Sequence, residues 1–243
     1  MSIKEKTVMV TGASSGIGRE TALRLGKAEA NLALLARREE KLQEAADEIR
    51  GEGGSAIVIK TDVTEESQVK TAVEKTVGQY GGIDMLVNVA GLGIFKPVEE
   101  LSLSEWNVQI EVMLTGAFLA THYALPHIYE KKKGRVLFVT SLWGPTKTAP
   151  ECSAYNAAKA GVCALARSLR EEVKEKGLPI GITEVRPGTV ATEFFDKAEY
   201  KGGIDPGKVL SAGDVASAIF EALTSRDAIA PNIVELEGTN PPY

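Results

Sequence analysis

The sequence predicts a doubly wound α/β fold of the Rossmann type, in which a parallel sheet of about seven strands carries helices on both faces. Short apolar runs alternate with longer segments of helical periodicity along the 243 residues. The apolar runs lack a polar side, which is typical of parallel strands that helices cover on both faces. No repeat, low-complexity stretch or change in composition marks a linker, so we expect one domain over 1–243.

The predicted strands and helices follow one another in near-regular alternation. Strands are expected at 7–11 (TVMVT), 31–36 (NLALLA), 55–62, 84–91, 134–141, 179–188 and 232–238. Helices are expected at 16–30, 38–53, 65–80, 103–130, 153–176 and 212–224. Right-handed strand–helix–strand connections bring the carboxyl ends of the strands to one edge, where open α/β sheets bind ligands. Functional residues are therefore expected in the turns that follow the strands.

The composition argues against several classes of function. A net charge of −5 and a pI near 5.3 give no basic surface for nucleic acid. Cys152 and Cys163 show neither metal nor disulfide spacing, and no third ligand accompanies His122 and His127, so no metal is expected. No apolar signal segment and no run of about 18 apolar residues is present, so we expect no membrane association. These features predict a cytoplasmic enzyme or binding protein.

The stretch T-G-A-S-S-G-I-G (11–18) joins the first strand to the first helix. Gly12 permits a tight turn, while Gly16 and Gly18 allow the backbone to approach a ligand closely. Free N–H groups and the positive end of the helix dipole favour a pyrophosphate at such a helix start. The spacing differs from G-x-G-x-x-G, and a merely tight strand-to-helix connection is the alternative.

The end of the second strand carries information about the cofactor. A dinucleotide site for NAD usually has an acidic residue there, which binds the ribose 2′-hydroxyl. In this chain the position is Ala36, and Arg37 and Arg38 follow it. Guanidinium groups bind a 2′-phosphate through charge-assisted hydrogen bonds, so we predict NADP(H) in preference to NAD(H). The alternative is that both arginines are solvated and pair with Glu39 and Glu40.

Six motifs together resemble the classical short-chain dehydrogenase/reductase family over nearly the whole chain. They are TGASSGIG at 11–18, DV at 62–63, NVAG at 88–91, Ser141, YNAAK at 155–159 and RPGTVAT at 186–192. Each motif is weak alone, but they occur in the order and at nearly the spacing of the family. The resemblance implies an oxidoreductase that transfers a hydride between nicotinamide and a carbonyl/alcohol substrate. It also implies a homotetramer or homodimer packed through the helices at 103–130 and 153–176.

The resemblance assigns a set of cofactor-binding positions. Asp62 and Val63 match residues that contact the adenine, although Asp62 capping the next helix is an alternative. The segment from Pro187 to Thr192 matches residues that line the nicotinamide. The full set is Gly12, Ser14, Ser15, Gly16, Ile17, Gly18, Arg37, Arg38, Asp62, Val63, Asn88, Ala90, Gly91, Tyr155, Lys159, Pro187, Gly188, Val190 and Thr192.

Ser141, Tyr155 and Lys159 are the predicted catalytic residues. Reduction of a carbonyl leaves negative charge on oxygen, which needs a hydrogen-bond donor and then a proton. Positions i and i+4 share a helical face, so the ammonium of Lys159 is expected to lower the pKa of the Tyr155 phenol. By resemblance Tyr155 donates the proton, Lys159 binds the nicotinamide ribose and Ser141 orients the substrate. Two unrelated residues on an amphipathic helix are the alternative reading of this pair.

Two positions depart from the family pattern. Val89 replaces a second asparagine of the usual NNAG, and Met113 stands where the family commonly has an asparagine that supports proton relay to the lysine. Methionine has no hydrogen-bond donor and is a weak acceptor. Without that asparagine, either main-chain carbonyls hold the water that relays protons to Lys159, or turnover is slower. The alternative function is a nucleotide-binding regulatory protein with impaired catalysis.

The substrate is expected to be a small apolar carbonyl or alcohol compound. Residues 193–214 are predicted to form a loop over the substrate, and its aromatic residues Phe194, Phe195 and Tyr200 favour an apolar ligand. Trp143 follows Ser141 closely and is expected either in the pocket or in the core. A further apolar wall is expected from Leu92, Ile94 and Phe95.

Overall fold

The main sheet of the computed structural model contains seven parallel strands, which confirms the predicted fold class. The structure describes residues 2–194, 207–226 and 229–239. In chain order the strands are β1 (Thr7–Thr11), β2 (Asn31–Ala36), β3 (Ser55–Lys60), β4 (Met85–Asn88), β5 (Gly134–Val139), β6 (Ile180–Pro187), β7 (Val190–Ala191), β8 (Leu210–Ser211) and β9 (Ile233–Leu236). The order in the main sheet is β3-β2-β1-β4-β5-β6-β9. The strand order therefore reverses between β1 and β4, where such sheets open a ligand crevice.

The helices cover both faces of this sheet. They are α1 (Gly16–Lys27), α2 (Glu39–Gly51), α3 (Glu66–Tyr80), α4 (Leu103–Ile110), α5 (Gly116–Glu130), α6 (Ser153–Glu175) and α7 (Ala212–Thr224). No helix among the described residues combines the length and the apolar character that crossing a bilayer requires.

Side chains alternate along the strands and supply two apolar cores, one on each face of the sheet. Val8 and Val10 of β1 pack into the core beneath α1, α2 and α7, whereas Met9 packs into the core beneath α3, α5 and α6. All three side chains are fully buried. This two-sided burial explains why the strands read as continuous apolar runs.

Two features of the fold differ from the sequence prediction. The helix predicted at 103–130 is interrupted by a π-helical turn at Glu111–Thr115, which separates α4 from α5. The short parallel pair of β7 and β8 was not predicted, because two-residue strands carry no periodic signal. Both features lie beside the carboxyl edge of the sheet, next to the residues that form the cavity.

Candidate functional site

A cavity of about 450 Å³ lies at the carboxyl edge of the sheet. It is lined by residues of the turn after β1, the ends of β2, β4, β5 and β6, and the start of α6. The lining includes Ser141, Tyr155 and Lys159, and every predicted cofactor-binding residue except Asn88. Residues from remote parts of the sequence thus meet in one cleft, as the resemblance predicts. The lining also includes residues that were not predicted: Thr61, Gly93, Val112, Val139, Thr140 and Glu193.

The glycine-rich turn is packed too tightly for any larger residue. Gly12 has a φ of +69°, and a Cβ there would lie 2.9 Å from the Cα of Ala90. A Cβ on Gly18 would overlap the main-chain carbonyl of Gly12. Ser15 is the N-cap of α1 but makes no side-chain capping bond, and the first turn of the helix contains no acidic residue. The N-terminus of α1 therefore keeps the features that favour an anion.

The two arginines after β2 take different directions. The Nη1 atom of Arg37 lies 3.9 Å from a carboxylate oxygen of Asp62, and the Arg37 side chain is about two-thirds exposed. Arg38 turns towards the glycine-rich turn, where its Nη2 donates to the hydroxyls of Ser14 at 3.1 Å and Ser15 at 2.5 Å. Its Nη1 also donates to Glu193 at 3.1 Å. Neither Glu39 nor Glu40 provides these partners, so the alternative pairing considered above is not formed.

Asp62 lines the cavity and also fixes its own loop. Its carboxylate accepts from the main-chain N–H of Thr64 at 3.1 Å and from the Thr64 hydroxyl at 2.9 Å. The N-cap of α3 is Glu65, so Asp62 does not cap that helix. The main-chain N–H of Asp62 donates to Gln68 at 2.9 Å. These hydrogen bonds fix the turn after β3, which forms one wall of the cleft.

Thr11 braces the turn after β4, a role that the sequence did not reveal. Its hydroxyl oxygen accepts from the N–H groups of Val89 at 3.0 Å and Ala90 at 3.2 Å. These bonds join the end of β1 to the end of β4 despite the valine at position 89. Asn88 is buried away from the cavity lining and donates to Thr121 at 3.2 Å. Its side-chain oxygen has no hydrogen-bond partner among the described residues.

The predicted catalytic side chains converge at the inner end of the cavity. The Ser141 hydroxyl lies just beyond the end of β5 and accepts from the N–H of Trp143 at 3.0 Å. Lys159 donates to the main-chain carbonyl of Val139 at 2.8 Å, and its Nζ lies 5.8 Å from the centroid of the Tyr155 ring. Ser141 and Lys159 are both buried. The arrangement can present a phenol and a serine hydroxyl to one oxygen atom.

Burial dominates the ionisation of this pair. It raises the pKa of Tyr155 to about 12, and the hydrogen bond with Ser141 only partly opposes that shift. Burial also lowers the pKa of Lys159 to about 8. The sequence predicts a lowered pKa for Tyr155 beside Lys159, whereas the pKa in the chain by itself is raised, because burial disfavours the charged phenolate. At neutral pH the phenol is protonated.

Aromatic rings pack edge-on against Tyr155. The Phe95 ring lies edge-on to Tyr155, with centroids 6.0 Å apart, and the Phe194 ring lies edge-on at 5.7 Å. Trp143 is 6.4 Å from Phe95 and is almost fully buried. Trp143 also lines a second, small cavity of about 20 Å³ together with Ser141 and Tyr155. Trp143 is therefore a buried residue that also faces the site, whereas Phe195 and Tyr200 lie outside the described residues.

Met113 occupies the middle of the π-helical turn and is nearly fully buried. Its side chain packs beside Gly91, where a Cβ would lie 3.6 Å from the Met113 Cγ atom and 3.7 Å from its Sδ atom. The N–H of Gly116 donates to the carbonyl of Glu111, a bond that spans five residues rather than four. When the ordinary i→i−4 pattern resumes in α5, one main-chain carbonyl after Glu111 lacks a helical donor. Such turns occur frequently at functional sites.

The two cysteines behave as packing residues. Cys152 and Cys163 are free and buried, and burial raises the pKa of each thiol to about 11.

His122 stacks on Phe118, with ring centroids 5.6 Å apart. Among the described residues, no group of three histidine, cysteine or acidic side chains is placed to hold a metal ion.

Comparison with known proteins shows which proteins this chain is similar to. The family model for short chain dehydrogenases matches residues 6–201. An uncharacterized oxidoreductase of Staphylococcus epidermidis is 30% identical over 236 residues, which are 96% of this chain and 97% of the relative. One from Listeria monocytogenes is 35% identical over 196 residues, 81% of this chain and 79% of the relative. The structure of an alcohol dehydrogenase from Thermococcus sibiricus, complexed with 5-hydroxy-NADP, superposes with a TM-score of 0.89 at 29% identity, covering 98% of this chain and 99% of that one.

Proposed function

The chain belongs to the short-chain dehydrogenase family, and on that basis we propose that it is an NADP(H)-dependent oxidoreductase that interconverts a carbonyl compound and its alcohol. The observation that carries this proposal is the convergence of Ser141, Tyr155 and Lys159 in one cavity with the glycine-rich turn. Tyr155 lies at the carboxyl edge of the sheet, where folds of this type bind their ligands, which supports a role for it in the reaction.

The cavity fits a dinucleotide at its phosphate end. The N-terminus of α1 has no acidic side chain in its first turn, and Gly12 and Gly18 allow the turn before it to pack tightly against the main chain. Arg38 already points at this turn through its bonds to the two serines. The glycine-rich turn and the N-terminus of α1 would hold the pyrophosphate, and Asp62 and Val63 would flank the adenine.

The preference for NADP(H) rests on Arg37 and Arg38. Ala36 leaves no carboxylate at the end of β2 that would repel a 2′-phosphate. Arg37 is exposed, and its contact with Asp62 at 3.9 Å is long, so its guanidinium is available to a phosphate. The solved relative that contains an NADP derivative supports this choice by similarity.

Tyr155 supplies the proton in the direction of carbonyl reduction. The bound nicotinamide provides or accepts the hydride. The phenol is fully protonated at neutral pH, because burial raises its pKa to about 12, so it can donate to an oxygen that gains negative charge. Ser141 stabilises the same oxygen through its hydroxyl, and its place at the end of β5 aims it into the cavity. Lys159 holds positive charge beside the phenol and stabilises the phenolate that remains.

Proton resupply must proceed without an asparagine side chain at position 113. We propose that a main-chain carbonyl of the π-helical turn takes this role and accepts from a relay water. The irregular hydrogen bonding at Glu111–Thr115 and the burial of Met113 beside Gly91 support the idea. A relay of this kind would keep the reaction running, at a lower rate than with a side-chain amide in place.

The substrate is proposed to be a small apolar carbonyl or alcohol compound. Phe95 and Phe194 pack against the ring of Tyr155, and Trp143 packs against Phe95, so aromatic surface lies beside the phenol. Such surface favours an uncharged group next to the reacting carbonyl. The proposed substrate loop at 193–214 lies partly outside the described residues, which omit 195–206.

The proposal on assembly rests on exposed apolar side chains, and the proposal on location rests on the two cysteines. Leu103 of α4 and Phe118 of α5 are large apolar side chains that stay exposed, which supports packing of these helices in a homodimer or homotetramer. Cys152 and Cys163 are free and buried, which fits a reducing compartment such as the cytoplasm. We propose residues 1–243 as one functional domain.

The decisive experiment follows NADPH absorbance with a panel of apolar ketones and aldehydes. We expect turnover with NADPH, a slower reaction with NADH, and a loss of about 10²- to 10⁴-fold in the Tyr155→Phe variant with NADPH binding retained. Tight NADPH binding without turnover of any substrate, unchanged by Tyr155→Phe, would instead support a regulatory protein that has lost catalysis. Val89 and Met113 are the observations that favour this second candidate.

A further inference from the structure

Glu193 forms an ion pair across the mouth of the cofactor cavity. Its carboxylate accepts from Nη1 of Arg38 at 3.1 Å, although the two residues are 155 positions apart in the chain. Arg38 begins α2 on one side of the cleft, and Glu193 follows the short strand β7 on the other. Both residues line the cavity. The pair therefore spans the opening between the adenosine side and the substrate side.

The remaining contacts of Arg38 fix where this bridge lies. Its Nε and Nη2 donate to Ser14, and Nη2 donates to Ser15, so the guanidinium stands over the glycine-rich turn. On the opposite side, a Cβ on Gly16 would lie 3.3 Å from the side chain of Thr192, the residue before Glu193. The carboxylate of Glu193 is thus held at the place where the turn, the arginine and the β7 side of the cavity meet.

From this geometry we infer that Glu193 is a specificity-determining residue, which competes with the cofactor's 2′-phosphate for Arg38 and so limits the preference for NADP(H) over NAD(H). This inference rests on the proposed NADP(H) dependence. A 2′-phosphate and a glutamate carboxylate are alternative partners for the same guanidinium, and like charges repel when both are close to it. A cofactor that lacks the 2′-phosphate leaves the pair with Glu193 intact.

Replacement of Glu193 by the 2′-phosphate as the partner of Arg38 also affects the residues around Tyr155. Phe194 follows Glu193 directly, and its ring packs edge-on against Tyr155 at 5.7 Å. Because the two residues are adjacent in the chain, movement of Glu193 away from Arg38 would be transmitted to Phe194. Binding of the phosphorylated cofactor is therefore coupled to the aromatic wall of the substrate site, whereas binding of NAD is not.

The test measures the affinities of NADP⁺ and NAD⁺ by titration calorimetry for the wild-type chain, Glu193→Gln and Glu39→Gln. Glutamine keeps the size of the side chain and removes its charge. Glu39→Gln removes the same charge from the exposed first turn of α2, next to Arg38, and serves as the matched control. We expect Glu193→Gln to bind NADP⁺ about three- to tenfold more tightly than the control, with NAD⁺ affinity unchanged within about twofold.

Equal gains in NADP⁺ affinity in Glu193→Gln and Glu39→Gln would overturn the inference, because they would reflect the change in net charge alone. Weaker NADP⁺ binding by Glu193→Gln would also overturn it. A wild-type chain that binds NADP⁺ no more tightly than NAD⁺ would contradict the proposed cofactor preference itself, so the two failures are distinguishable. In a Trp106→Phe background, the emission of Trp143 should respond more strongly to NADP⁺ than to NAD⁺; an identical response would contradict the coupling through Phe194.

Discussion

Lys159 is tied to the last residue of β5 by a 2.8 Å hydrogen bond from its ammonium group to the main-chain carbonyl of Val139. The bond joins α6 to the strand that leads into Ser141, so the helix cannot shift along the sheet without losing it. It also gives a buried positive charge one fixed acceptor. Four predictions concern Lys159 and other parts of the chain.

The stability of the chain should rise with pH through the titration of Lys159. Burial lowers the pKa of Lys159 from 10.5 to about 8, so the unfolded chain binds more protons than the folded chain between these values. The free energy of unfolding of wild type, relative to Lys159→Met, should therefore increase by about 2 kcal/mol between pH 8 and pH 10. Urea unfolding of both chains at each pH measures this difference, and subtraction cancels the titration of other groups. A flat difference would show that Lys159 is not desolvated.

Restoring an amide at position 113 should accelerate the reaction. Met113→Asn adds a side-chain donor and acceptor at the turn beside Gly91, and we expect kcat to rise and its pH profile to change if proton resupply limits the rate. The same change should lower stability by about 1–3 kcal/mol, because the buried amide is incompletely satisfied. Met113→Leu is the control, with rate and pH profile unchanged. No change in either property of Met113→Asn would mean that the relay does not need this side chain.

Arg37 should distinguish the two cofactors. We expect Arg37→Ala to weaken NADP⁺ binding by about 10- to 100-fold, because a charge-assisted contact with the 2′-phosphate is lost, while NAD⁺ binding changes by less than about twofold. Arg24→Ala, which removes an exposed arginine from α1, controls for net charge. Fluorescence titration of each variant with both cofactors gives the comparison. An equal loss of affinity for NADP⁺ and NAD⁺ would show that Arg37 has a structural role.

The glycine-rich turn should not tolerate a single methyl group. In Gly18→Ala the new Cβ overlaps the carbonyl of Gly12, so we expect a loss of about 1–3 kcal/mol in stability and a larger loss of cofactor affinity. Gly78 lies in α3 with open space around its Cα, so Gly78→Ala should instead stabilise the chain by about 0.5–1 kcal/mol. Thermal unfolding with and without NADP⁺ tests both variants. Wild-type stability and cofactor affinity in Gly18→Ala would show that the turn can accommodate the added methyl group.

Local patterns in the sequence were sufficient to predict the strands of the main sheet, the segments that form its flanking helices and most of the cavity lining. Apolar runs and helical periodicity are properties of neighbouring residues, and their bounds agree with the structure to within three residues. The predicted cofactor residues lie in turns after strands, which the parallel topology gathers at one edge. Asn88 departs from this pattern, because the last residue of β4 faces α5 rather than the cleft.

The features that the sequence did not reveal depend on contacts between remote residues. The pairing of Arg38 with Glu193 and the double acceptance by Thr11 join positions that no spacing rule connects. The raised pKa of Tyr155 likewise depends on how completely the chain surrounds the phenol. The π-helical turn at Met113 has the same composition as an ordinary helix. These properties become visible only when the packing is known.

The burial of both thiols has a practical consequence for labelling. Cys152 and Cys163 are the chain's two cysteines, and their raised pKa values leave almost no thiolate at neutral pH. Alkylating reagents that require an accessible thiolate will therefore react slowly with the native protein. A cysteine introduced at an exposed position, such as Gly78 in α3, would be modified selectively without prior removal of the natural pair. The chain thus accepts a single probe at a chosen position.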